Sequence, residues 1–186
     1  VVNALSESMQ TEVYRDGKVY KQEYKRGKPV SPVKETGTTD KHGTKQTYKA
    51  DKEIFHEITQ YNWKTIIDHV RQQAYLTKGI KIVLKDKRQN QEKNYNFYFH
   101  RGIASFIRHL SRGKTIYNDP IFYVNKQIND YLVEVSLAYI DDYNEHVYSF
   151  ANNIFTPEGG THLAGFRTAL TRAINSYSKK AGLIKD

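Results

Sequence analysis

The sequence predicts an α+β fold, because segments with the two-residue period of strands and segments with the 3.6-residue period of helices follow one another. Val133, Val135 and Leu137 alternate with polar residues, which is typical of a half-buried strand. The run 63–74 instead places its apolar residues on one helix face. The dipeptide Asp16-Gly17 is typical of a tight hairpin turn. With 186 residues, of which 38% are hydrophobic, the chain can form a core.

The first part of the chain is predicted to combine one hairpin with two helices. The pattern predicts, in order, an opening helix with apolar positions 1, 2 and 5, a hairpin over 11–27 that turns at Asp16-Gly17, a loop over 31–43, a strand over 44–49, and a helix that begins at Asn62 and stops before Gly79.

The rest of the chain is predicted to continue with strands and two more helices. We expect paired strands over 80–84 and 95–99 joined by a charged turn over 85–92, a helix over 102–112, a strand over 133–139 that turns at 141–144 and pairs with 146–150, and a helix over 161–180 with a buried stripe of Leu163, Phe166, Leu170, Ile174 and Tyr177.

Composition narrows the function classes. The formal charge of +9 favours polyanionic partners, although many basic proteins bind no nucleic acid. Cations concentrate in 14–28, with six against two acids, and in 161–186, with five against one. Cysteine is absent, which excludes disulfides and thiolate metal sites. No apolar run is long enough to span a bilayer and no signal sequence opens the chain, so we expect a cytoplasmic protein.

No self-contained catalytic group emerges from spacing. Arg112-Gly113-Lys114-Thr115 ends like a phosphate-binding loop, but the required first glycine is replaced by Arg108, so a helix end is the better interpretation. The seven histidines show no i, i+4 pair, so no metal site is predicted. The adjacent Asp141 and Asp142 are expected to solvate a turn.

The segment after Asn152 carries the most information. Gly159-Gly160 lets the chain bend onto a helix that opens with Thr161, and the free N–H groups of that turn could hold an anion or serve structure alone. Arg167 lies at the edge of the apolar stripe. It must pair with an acid, point into a wet groove, or lay its stem over apolar neighbours.

The same segment resembles the ATPase subunits of type IIA DNA topoisomerases, most closely the B subunits of DNA gyrase. Four further runs resemble that family in the same order along the chain, so the resemblance covers nearly all of it. They are VVNALSE at 1–7, YRDGKVYKQEYKRGKPV at 14–30, TDKHGT at 39–44 and FHRGIASFIRHL at 99–110. The segment already described contributes NNIFTPEGGTHLAGFRTALTRAINSY at 152–177.

The resemblance implies a fold and a division into domains. Residues 1–99 would be the C-terminal portion of a GHKL (Bergerat) ATPase domain. Residues 100–186 would be the N-terminal portion of a transducer domain with a left-handed βαβ core. Because the chain opens without methionine inside an apolar pattern, we expect an internal fragment.

The resemblance also implies site residues, cofactors and partners. Thr44 matches the threonine at the floor of the adenine pocket, and Arg167 matches an arginine of the DNA cavity. Gln46 departs from the family, which often has an apolar residue there. No catalytic or metal-binding residue is expected inside the fragment, which would therefore be inactive alone. The whole subunit would use ATP and Mg²⁺ and bind DNA, the gyrase A subunit and a second B subunit in an A2B2 assembly.

Two other interpretations stay open from the sequence. The B subunit of topoisomerase IV is the close relative, although Leu163-Ala164-Gly165 favours gyrase. A basic DNA-binding module that keeps this fold without catalysis is the rival of a different class. A GHKL helix and glycine lid encoded upstream would separate the enzyme from that module.

Overall fold

A computed structural model describes residues 1–57, 60–88 and 92–184. These residues form an α+β arrangement of three helices and eleven strands, which confirms the predicted class. The elements are β1 (Ser6–Arg15), β2 (Lys18–Lys25), β3 (Lys28–Pro29), β4 (Lys34–Thr38), β5 (Gly43–Ala50), α1 (Trp63–Leu76), β6 (Ile82–Asp86), β7 (Lys93–Phe97), α2 (Ile103–Leu110), β8 (Phe122–Ile128), β9 (Tyr131–Leu137), β10 (Phe150–Ala151), β11 (Ile154–Phe155) and α3 (Thr161–Lys180).

The chain divides into two compact units, Val1–Asn62 and Trp63–Asp186. This division by packing differs from the domain boundary near residue 100 that the resemblance implies. The boundary near residue 100 separates the ATPase and transducer domains of the family, which the division by packing does not test, so it stays a prediction.

The first unit is an antiparallel sheet in the order β3-β2-β1-β5, with β4 also pairing with β2. Strands β1 and β2 form the predicted hairpin, in which Arg15 faces Lys18. Both turn residues are left-handed, with φ of 53° at Asp16 and 76° at Gly17. That geometry matches the right-handed twist of the two strands, so the Asp-Gly dipeptide sets their register.

The two faces of this sheet differ in chemistry. One face carries ion pairs, such as Lys45 with Glu12 at 2.9 Å. The hydrogen bond from Lys45 holds the pKa of Glu12 below its ordinary value. The register places Tyr24 and Tyr48 on the opposite face, on either side of Met9. The ion pair of Glu12 and the rings beside Met9 therefore lie on opposite faces, and the tyrosine face also carries the Lys18–Glu35 pair at 2.8 Å.

Two predictions for this unit were wrong. Residues 1–5 form a single turn, in which the Leu5 amide donates to the Val1 carbonyl at 3.1 Å, and not a helix. Strand β1 begins directly afterwards, and the Ser6 hydroxyl donates back to the Val2 carbonyl at 2.7 Å. The expected loop over 31–43 contains β4, because the edge of β2 supplies backbone partners that the local sequence does not show.

The core of the second unit lies between α1 and the β6–β7 hairpin. Ile67, Ala74 and Phe97 are buried there, with exposed fractions of 8%, 0% and 6%. Next to them, the buried ring of Tyr75 stacks on Phe99 at 3.7 Å and on Phe106 at 5.0 Å. The predicted helix stripes therefore pack as expected in α1 and at Phe106 of α2. Part of the predicted turn over 85–92 lies outside the described residues.

The prediction of the partner for strand 133–139 was wrong. Strand β9 pairs with the preceding β8, in the register Ile128 to Tyr131, and not with residues 146–150. The two-residue turn uses Asn129, whose φ is 52°. Closing so short a turn costs little chain entropy, which favours pairing with the adjacent strand. Further on, Phe150 pairs with Phe155.

Helix α3 spans the predicted residues, but its stripe is not buried. Leu163, Phe166 and Leu170 are half-buried. Ile174 and Tyr177 are 44% and 68% exposed. The period of the stripe predicted the helix correctly, whereas burial depends on tertiary partners that a period cannot supply. In the described residues, no helix has the length and apolar content of a membrane span.

Candidate functional site

Thr44, the predicted adenine-pocket residue, lies near the start of β5. This strand forms one edge of the first sheet, and Thr44 faces Val13 across the ladder. Its side chain is exposed and shares a sheet face with Gln46 and Tyr48. The position leaves the hydroxyl free to meet a ligand that approaches this face.

Gln46, where the family often has an apolar residue, is engaged within the sheet. The Thr11 hydroxyl donates a hydrogen bond to the Gln46 side-chain carbonyl at 2.8 Å. The register places this pair between Thr44 and Tyr48 on the same face. The departure from the family pattern therefore makes a cross-strand polar contact on the face that carries Thr44.

The loop that leads into α3 is tied together by side chains. The Ser149 hydroxyl donates to the Thr156 carbonyl at 3.0 Å, and the two hydroxyls lie 2.7 Å apart. Ser149 is 9% exposed, so these bonds satisfy a buried polar group. The Thr156 hydroxyl also lies 3.5 Å from Nε2 of His162. This bridge fixes the loop against the first turn of the helix.

Glycines are required where this loop enters the helix. Gly160 caps α3 with φ of 144° and ψ of −178°, and no side chain caps the helix. A Cβ there would lie 3.0 Å from the ring of His162. A Cβ on Gly159, whose φ is 78°, would lie 3.0 Å from Leu163. Both positions therefore favour glycine for conformation and for space.

Arg167, the predicted DNA-cavity residue, lies one and a half turns into α3 and pairs with an acid. Its Nη2 atom lies 2.9 and 3.0 Å from the two carboxylate oxygens of Glu145. The side chains are 54% and 68% exposed. Pairing with an acid is thus the alternative that the structure adopts. Sequence reasoning missed Glu145, because nothing in a spacing of 22 residues links it to Arg167.

The segment after α2 is a helix end and not a phosphate loop. Gly113 has φ of 79°, and Lys114 pairs with Asp142. The Thr115 amide donates to the Asp141 carboxylate at 2.8 Å. Asp142 also lies 3.2 Å from His146. The two aspartates therefore anchor the end of α2 to a distant loop and do not simply solvate a hairpin turn.

Comparison with known proteins identifies the relatives of this chain. The family model for DNA gyrase B matches residues 102–186. Over its whole length, this chain is 49% identical to the DNA gyrase B protein of Clostridium acetobutylicum and 46% identical to that of Enterococcus faecalis. The chain covers 29% of each of these two proteins. It is 44% identical to the DNA gyrase B protein of Bacillus mycoides, of which it covers 46%. The chain therefore spans between 29% and 46% of the lengths of these relatives.

A solved structure agrees with these relatives. The 43K ATPase domain of Thermus thermophilus gyrase B, determined in complex with an aminocoumarin, matches 99% of the chain at a TM-score of 0.85 and 36% identity. The chain covers 50% of that domain. Sequence and fold therefore agree, from end to end of this chain, on its similarity to DNA gyrase B proteins.

Proposed function

We propose that this chain is the part of a gyrase B protein that links the floor of the ATP pocket to the DNA cavity of an ATP-dependent type IIA topoisomerase. The observation that carries the proposal is the agreement of fold over nearly the whole chain with a gyrase B ATPase domain. The whole subunit would couple ATP binding and hydrolysis, with Mg²⁺, to strand passage and negative supercoiling. It would act in the cytoplasm.

Thr44 is proposed as a contact to the adenine of ATP. Its side chain is exposed on the face of the sheet that carries Gln46 and Tyr48, at an edge strand that a ligand can reach. The residues that would bind Mg²⁺ and activate water are not proposed within this chain. We assign Thr44 a binding role only.

Arg167 is proposed as a DNA contact. It is exposed on α3, and its guanidinium is held in place by a single carboxylate that is also exposed. An exposed pair of this kind is weak, so a phosphate can compete with Glu145 for the arginine. The pair would then keep Arg167 extended until DNA arrives.

The boundary between the ATPase and transducer parts is proposed near residue 100. The start of the matched family region at Gly102 supports it. We propose DNA, the gyrase A subunit and a second B subunit as partners, in an A2B2 assembly. The dimer of B subunits would form on ATP binding.

The test uses the full-length protein that contains this chain, mixed with the gyrase A subunit and relaxed plasmid. We expect negative supercoils that require ATP. ATP-driven relaxation or decatenation without supercoiling would point to a topoisomerase IV type of enzyme. Absence of ATP turnover would contradict the enzyme proposal and favour a non-catalytic DNA-binding module.

A paired substitution tests the adenine contact. Thr44→Ala should weaken ATP binding by about 3- to 10-fold, the effect of one lost hydrogen bond. Thr47→Ala is the matched control, because residue 47 lies on the opposite face of the same strand. Equal ATP affinity of the two variants would exclude Thr44 from the pocket.

A further inference from the structure

A basic cleft lies on one side of α2 in the second unit. Its volume is about 320 Å³. Its lining includes three arginines and, between them, two small residues: Arg101, Ala104, Ser105, Arg108 and Arg112. Arg108 lies in α2, and Arg101 and Arg112 lie just before and just after it, so the three arginines that line the cleft come from the helix and its two ends.

Little negative charge balances these arginines. Within residues 1–57, 60–88 and 92–184, Arg101 and Arg112 are exposed and make no ion pair. Arg108 donates to Asp119 at 3.0 Å, and both side chains are more than half exposed. Residues 93–118 contain five lysines or arginines and no aspartate or glutamate. The cleft therefore carries a net positive charge, which the pair of Arg108 with Asp119 offsets only in part.

The dimensions of the arginine row favour a polyanion over a small anion. Arg101 and Arg112 flank the eight residues of α2, which span about 12 Å at a rise of about 1.5 Å per residue. One carboxylate or one inorganic phosphate cannot span that row. Duplex DNA carries one charge per about 1.7 Å of axis, so it can neutralise all three arginines together.

The chemistry of the lining favours phosphate groups over bases. Guanidinium groups bind phosphate oxygens in pairs, and Ala104 and Ser105 leave room for the backbone to approach. Tyr75, at the inner end of the cleft, is 4% exposed, and its ring stacks on Phe99 at 3.7 Å. Phe99 itself lines the cleft and is half-buried. Single strands bind through several exposed stacking rings, and the cleft offers at most one phenyl ring for that role.

We propose that this cleft is a further contact site for the phosphodiester backbone of duplex DNA, separate from Arg167. The contact orients the duplex without reading its sequence, since backbone contacts carry no base information. This inference rests on the proposed function in so far as DNA is the partner. It adds a second surface at which the same duplex, or another segment of it, is held.

The first test removes the three charges in the full chain. A fluorescein-labelled duplex of mixed sequence is titrated by anisotropy over a range of NaCl concentrations. The triple variant R101Q/R108Q/R112Q should bind at least about tenfold more weakly, and the slope of log K against log salt should fall by about 2 to 3, near 0.9 per phosphate contact. The control K25Q/K28Q/K34Q removes three exposed lysines of the first unit. An equal loss in the control would overturn the proposal, because net charge alone would then explain binding.

A gain of affinity provides a test that misfolding cannot imitate. Asp119→Asn removes the carboxylate that pairs with Arg108, so duplex binding should tighten by about three- to tenfold. Unchanged or weaker binding in this variant would overturn the proposal. Single-stranded DNA that binds more tightly than the duplex would overturn it too. Displacement of DNA by poly-glutamate at equal charge concentration would also overturn the proposal, since an acidic protein would then be the better partner.

The supercoiling assay separates this inference from the proposed function. In one outcome, the arginine variant loses DNA affinity while the parent protein shows no ATP-dependent supercoiling. That result would support the proposed DNA contact at the cleft and contradict the proposed enzyme function. Supercoiling by the parent with unchanged DNA affinity in the variant would keep the enzyme and reject the cleft.

Discussion

Arg167 and Glu145 form a bifurcated contact across 22 residues of chain, in which one guanidinium nitrogen, Nη2, lies within 3.0 Å of both carboxylate oxygens. The arginine comes from a helix and the acid from a loop. Both side chains are more than half exposed, so the contact orients the guanidinium more than it stabilises the fold.

The first prediction concerns this pair. In the full-length protein, Arg167→Ala should reduce DNA-stimulated ATP turnover more than DNA-independent turnover, because the lost group is the proposed DNA contact. Glu145→Gln should instead raise DNA affinity, because it removes the carboxylate charge that pairs with Arg167. Each change should alter the free energy of unfolding by less than about 1 kcal/mol. Equal loss of both turnover rates in Arg167→Ala would indicate a packing role.

The second prediction concerns the entry to α3. Gly160→Ala should destabilise the second unit by about 1–3 kcal/mol, since its backbone conformation is nearly restricted to glycine and a Cβ meets His162. Gly165→Ala, in the same helix, should stabilise by up to about 1 kcal/mol, because no atom lies within 4 Å of the new Cβ. Urea unfolding measures both. Similar values for the two variants would contradict the strained entry.

The third prediction tests the core of the second unit. Phe97→Ala should cost about 3–5 kcal/mol, because Phe97 is 6% exposed and packs with Ile67 and Ala74. Val83 lies on the paired strand and is 47% exposed. Val83→Ala should therefore cost less than about 1 kcal/mol. Chemical denaturation followed by circular dichroism compares the two. A small loss in Phe97→Ala would place the core elsewhere.

The fourth prediction concerns pH at the basic cleft, which His109 also lines. Burial lowers the pKa of His109 below its ordinary 6.5, and Arg112 and Arg71 lower it further, against an opposing effect of Asp68. The folded state therefore disfavours protonation. The stability contributed by neutral His109 is complete above pH 6.5 and is lost as pH falls through that value towards the folded pKa.

Two changes should raise the pKa of His109. Arg112→Gln should raise the pKa of His109, because it removes a positive neighbour. Bound duplex DNA should raise it as well, since it adds negative charge, and DNA should then bind more tightly as pH falls. NMR titration of the His109 ring measures both shifts. Arg172→Gln, an exposed change on α3, is the control and should leave the ring unaffected.

The fifth prediction concerns ATP. The polypeptide 1–186 alone is expected to hydrolyse no ATP, because Thr44 is the pocket residue that the resemblance assigns within it and binding by one hydroxyl performs no chemistry. A coupled phosphate-release assay, with the full-length protein as positive control, measures this. Turnover by the isolated polypeptide would show that this chain holds catalytic groups that we have not assigned.

Much of the fold could be predicted where local signals decide it. The Asp16-Gly17 turn set the β1–β2 register, and the apolar period gave α3 its bounds. The pairing of β9 was predicted wrongly although Asn129-Asp130 signals a turn, because the following acidic pair offered a rival turn. The opening helix failed because two or three apolar residues at helical spacing cannot outweigh the sheet that begins at Ser6.

The candidate sites divide in the same way. The sequence by itself carried the family resemblance, which implies the candidates Thr44 and Arg167, and it determined the glycine-rich entry to α3, because these depend on residue types in a fixed local order. Only the tertiary structure decided that Glu145 pairs with Arg167 and that three arginines around α2 line one cleft with Asp119 at its edge. The physical reason is that ion pairs and clefts depend on distances between groups far apart in the chain, and packing alone sets those distances.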